Sequence, residues 1–76
     1  MELIIINTEE TGDVYIATTL DSFEVFQAIN SAIYDWRADP DCEITPELIE
    51  AQIKKTYRGS GCKVMILQKN TEDLNF

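Results

Sequence analysis

Two helix beginnings, written in the same grammar twenty-four residues apart, divide this chain into three parts and constrain it more than any other feature. At the first, Asp21 is a natural cap, Glu24 three residues later completes a capping box, and Leu20 before the cap can staple to Val25. The spacing predicts helix 1 from Ser22 to Trp36, with Phe26, Ile29, Ile33 and Trp36 on its buried face and Phe23, Val25 and Ala32 widening the stripe. At the second, Thr45 caps, Pro46 stands at the first helical position where its missing N–H is harmless, and Ile44 staples to Ile49. Helix 2 is predicted from Pro46 to Arg58, its buried ridge made by Ile49, Ile53 and Tyr57, with Gly59 placed to stop it.

The flanking segments read as strands. Leu3-Ile4-Ile5-Ile6 is apolar without alternation, and Val14 to Thr19 is β-branched and aromatic, so the pair predicts a β-hairpin joined by a polar loop of about five to seven residues, Asn7 to Asp13. Cys62 to Gln68 predicts a third strand after the glycine turn Gly59-Ser60-Gly61, and residues 70–76 are expected to fray unless Leu74 and Phe76 dock. The fold class that follows is α+β over a single domain, residues 1–76: a two-layer β-β-α-α-β order with a helical hairpin on one face of a three-stranded sheet. Two sheet orders satisfy the chain directions, 2-1-3 and the antiparallel meander 1-2-3. The order 2-1-3 is preferred, because a strand without alternation is usually the one buried on both faces. Apolar residues of strands 1 and 3 also point away from the helices, so a second copy, another protein or the C-terminal tail is expected to cover that side.

Absences narrow the function. With no histidine among 76 residues there is no Ser-His or Cys-His dyad and no ordinary zinc site, so the chain is read as non-catalytic, with no cofactor. Cys42 and Cys62 flank helix 2, whose roughly 13 residues separate them by about 20 Å, so free thiols are expected. The longest apolar run is far short of the roughly 20 residues of a membrane span, and Met1-Glu2 does not open a signal peptide; no membrane partner and a cytoplasmic location are expected.

One segment resembles an EF-hand calcium loop: from Asp39 to Glu50, acids occupy positions 1, 3, 5, 9 and 12 of a twelve-residue window. Position 6 is Ile44 where the sharp turn needs glycine, and Pro46 at position 8 commits the second half to helix. No metal site is expected there.

Charge is the most uneven property. Residues 1–50 hold 12 acids and one base, Arg37, for a net −11, whereas residues 51–76 hold five bases and two acids for +3. Nucleic acid is a poor direct partner for such a chain, since that affinity rests on neutralising phosphates. A basic protein is a better one. Direction-counting brings the hairpin tip and the inter-helix connection to one end of the sheet, which nominates Glu9, Glu10, Asp13, Asp35, Asp39, Asp41, Glu43 and Glu47 as a partner-binding patch. The function expected is an acidic protein-binding module, an inhibitor or a nucleic-acid mimic that occupies a basic groove. The alternative is a homodimer or larger homo-oligomer that uses the apolar sheet face.

Overall fold

The computed structural model describes residues 1–67 and is a small α+β fold of three strands and two helices: β1 (Glu2–Thr8), β2 (Gly12–Thr18), α1 (Ser22–Ala38), α2 (Pro46–Thr56) and β3 (Val64–Leu67). The expected tail at residues 70–76, the end of the third predicted strand at Gln68, and the docking of Leu74 and Phe76 all lie outside the described residues.

The hairpin is tighter than its polar sequence implies. β1 and β2 pair antiparallel from Glu2↔Thr18 to Thr8↔Gly12, leaving a three-residue connection. Gly12 takes the positive φ of 69° that such a turn needs, while the Thr8 hydroxyl accepts from the Thr11 N–H at 3.0 Å and fixes the turn from inside.

The sheet order is β1-β2-β3, which overturns the preferred 2-1-3. β3 pairs antiparallel with β2 from Thr18↔Val64 to Tyr15↔Leu67, so β2 is central and β1 is an edge. The reason is visible in β1, where Ile4 and Ile6 are buried but Leu3 and Ile5 are 59 % and 48 % exposed. Its unbroken apolar run therefore marks an apolar outer face. It does not mark burial on both sides.

One core joins the inner positions of all three strands to both helices: Ile4, Ile6, Val14, Ile16 and Val64 pack with Val25, Ala28 and Ile29 of α1 and with Ile49 and Ile53 of α2. Ile16, Val25, Ile49 and Ile53 are fully buried. Both caps form as their sequences dictate. Asp21 accepts from the Glu24 N–H at 2.8 Å and Glu24 reaches back to the Asp21 N–H at 3.0 Å, while Thr45 accepts from the Leu48 N–H at 3.2 Å.

The aromatic part of the expected α1 stripe is corrected. Phe23 and Phe26 are 67 % and 49 % exposed, and the buried arc is Val25, Ala28 and Ile29, with Ile33 and Trp36 partly buried beside it. At about 100° per residue Phe23 stands some 200° from Val25, so one face cannot hold both. Helix bounds shift as well: α1 runs two residues past Trp36, and α2 ends at Thr56, before Arg58.

Candidate functional site

Three sets of contacts position the hairpin tip, the end of α1 and the start of α2. The last turn of α1 carries Arg37, whose guanidinium grips the hairpin tip by donating from Nε to Glu10 Oε2 at 2.8 Å and from a terminal nitrogen to Glu10 Oε1 at 3.1 Å. A cation there also suits the negative pole of the helix. Past the helix, Asp39 accepts from the Asp41 N–H at 3.0 Å and its carbonyl accepts from the Cys42 N–H at 3.1 Å, so the connection folds into a turn before Thr45 caps α2. Finally, a shallow groove brings Pro46, the first residue of α2, to Thr11, Asp13 and Val14. Asp13 is itself steadied by Asn7, which donates from its amide at 2.7 Å.

All eight sequence-nominated residues, Glu9, Glu10, Asp13, Asp35, Asp39, Asp41, Glu43 and Glu47, are exposed. The Arg37 contact brings the end of α1 to Glu10, and the groove brings the start of α2 to Asp13, whereas Asp35, two residues before Arg37, stands about 200° around the helix from it. Sequence reasoning missed Arg37 as a member of this end. It sits one residue beyond the predicted helix, although as the sole cation of the first fifty residues it was the one side chain able to neutralise an acid there.

The pair tunes both partners. Hydrogen bonding from Arg37 holds the Glu10 carboxyl below its ordinary value of 4.5, and Glu10 in turn makes the guanidinium proton harder to remove. The remaining described cations, Lys54, Lys55, Arg58 and Lys63, belong to the second half of α2 and the segment leading into β3, and Lys54 pairs with Glu50 on its own helix at 3.3 Å.

The window that resembles a calcium loop enters α2 at Pro46, so Glu47 and Glu50 are helical residues and do not belong to a twelve-residue loop. Cys42 and Cys62 are free thiols, both partly buried, and the Cys62 thiol lies 3.8 Å from the Tyr57 carbonyl. Among the described residues no helix is long and apolar enough to cross a membrane.

A second surface lies on the outer face of the sheet. Leu3, Ala17 and Met65 form one cross-strand row and Ile5, Tyr15 and Leu67 the next. Antiparallel sheets with one solvated face usually place polar side chains there. Comparison with protein-family models, curated proteins and solved structures finds no significant match for the chain, so the functional reading rests on its own residues.

Proposed function

We propose that the protein is a small, non-catalytic binding module whose acidic end docks a basic protein surface, in the manner of an inhibitor or nucleic-acid mimic. The observation that carries this reading is the Arg37–Glu10 bridge, which fastens the acidic hairpin tip to the end of α1, next to the connection that carries Asp39, Asp41 and Glu43. Arg37 offsets Glu10, and the surplus of carboxylates steers a cationic surface towards this end. Such a complex is expected to form fast at low salt and to dissociate as salt screens it.

A tagged pull-down from the source lysate, eluted with a salt ramp and read by mass spectrometry, tests it. Recovery of a basic, nucleic-acid-handling protein at moderate salt, and loss of that partner when Asp39, Asp41 and Glu43 are all changed to lysine, are the expected results. A complex that survives the triple reversal sinks the acidic-end reading.

A second reading, a homo-oligomer that works through its sheet, is favoured by the apolar outer rows. A helical hairpin covering the opposite face leaves those rows as the surface such an assembly would use.

A further inference from the structure

Among the described residues the outer sheet face is apolar in its middle and charged only at its two ends. In the middle stand Leu3, Ile5, Met65 and Leu67, between 41 % and 59 % exposed, on either side of Ala17 and Tyr15 of the central strand. At the hairpin end the same side of β2 carries Asp13, two residues before Tyr15. At the other end Lys63 stands two residues before Met65, hydrogen-bonded through its backbone to Thr19. Residues two apart on a strand share a face, so the surface runs from an acid through two apolar rows to a base.

We propose that this face pairs with the same face of a second copy, the two sheets stacked about 10 Å apart and their strands antiparallel about a two-fold axis. The proposal rests on the self-association reading and adds the interface and its orientation. Charge selects the occupant and the direction together. A two-fold that reverses the strands sets Asp13 of each copy over the Thr19 end of the other's central strand, one strand from Lys63, making two equivalent pairs, whereas the alternative direction stacks Asp13 on Asp13. A surface with one charge of each sign at opposite ends of an apolar strip complements its own copy.

Area sets the strength. Three strands about 4.8 Å apart and same-face rows about 7 Å apart give roughly 300 Å² in projection per copy, below the roughly 800 Å² per partner of a standard interface. The dimer is therefore of the weak, transient class, expected only at high protein concentration.

Sedimentation velocity on the full chain up to about 1 mM tests this, alongside Ile5→Lys, Lys63→Glu and the double variant Lys63→Glu with Asp13→Lys, with circular dichroism confirming that each is folded. The wild type is expected to dimerise with concentration and Ile5→Lys to remain monomeric. Lys63→Glu should weaken the dimer roughly fivefold to tenfold by turning two rim attractions into repulsions, and the double variant should recover most of that loss. A wild type that stays monomeric throughout overturns the interface and the self-association reading together. A dimer indifferent to both Ile5→Lys and Lys63→Glu preserves self-association and overturns this interface, directing attention to the β1 edge.

Discussion

Thr19 and Lys63 clasp each other where the third strand joins the sheet: the Thr19 N–H donates to the Lys63 carbonyl at 3.1 Å, and the Lys63 N–H donates to the Thr19 hydroxyl at 3.0 Å. The clasp stands immediately outside the pairing of Thr18 with Val64. It therefore helps to fix where β3 begins its ladder. Thr19→Val keeps the β-branched shape and removes the acceptor, so a loss of about 0.5–1.5 kcal/mol in urea unfolding is expected. Amide exchange should accelerate at Val64 to Leu67 and hold steady at Ile4 and Ile6. Equal acceleration in both strands would mean that the clasp serves general stability and leaves register alone.

That clasp also shows why strand order was hard to read from the sequence. A threonine following a strand and a lysine preceding another are common, and nothing in their spacing announces a pair 44 residues apart. The apolar run Leu3 to Ile6 pointed the other way, because hydrophobicity on both sides of a strand is the same signal whether its second face is covered by the protein's own chain or left open. The caps were legible because they are local: Asp21 with Glu24 and Thr45 with Pro46 each carry their geometry within four residues. The exposure of the eight nominated acids was legible from their charge. The Arg37 contact with Glu10 was not, since the apolar pattern stops at Trp36 while the helix continues to Ala38.

Core positions should separate sharply from outer ones. Ile16 is fully buried in the central strand and faces Ile4 and Ile66 across the ladder, whereas Ile5 is half exposed on the outer face. Ile16→Ala is expected to cost about 2–5 kcal/mol, a large part of the stability available to a chain this short, and Ile5→Ala less than about 0.5 kcal/mol. Thermal melts of the two variants side by side check this. Comparable losses would show that the outer face is as well packed as the core.

The first helix cap offers a local test. Asp21→Ala removes the acceptor for the Glu24 N–H and breaks the reciprocal box, so about 0.5–2 kcal/mol should be lost. Asp21→Asn keeps an acceptor at that place and should retain most of the stability. An alanine variant as stable as the asparagine one would show that the Leu20 and Val25 packing alone holds the helix start.

Tyr57 links the end of α2 to the start of α1 by donating its hydroxyl to the Glu24 carbonyl at 2.7 Å. Burial raises the phenol pKa above its ordinary 10.0, and the nearby carboxylates of Glu24 and Asp21 raise it further. A folded value above the unfolded one means that this contribution to stability is fully present below the unfolded pKa and is lost as pH rises through the folded pKa. Tyr57→Phe should therefore lower the urea midpoint at neutral pH, and its deficit relative to wild type should narrow once pH passes 10. A deficit that stays constant across that range would assign the effect to packing and exclude the hydroxyl.

Acid should act on the hairpin tip through Glu10. Its carboxyl is held below the ordinary 4.5, first by the hydrogen bond from Arg37 and then by a backbone hydrogen bond, so the ion pair's contribution is present above the unfolded pKa and disappears as pH falls through the lower folded value. Because both side chains are solvent-exposed, the pair orients the tip more than it stabilises the fold. In an NMR titration Glu10 should give up its charge at lower pH than it does in Arg37→Ala, while the melting temperature of the two proteins differs little. The same substitution removes the one cation that the described residues place at this end, so it separates two uses of it. If a basic partner needs the carboxylates gathered by the clamp, Arg37→Ala weakens the complex despite the added negative charge; if net charge alone matters, the complex becomes tighter. Arg37→Lys, which keeps the charge without the two-pronged grip, should then follow the alanine variant in the first case and the wild type in the second.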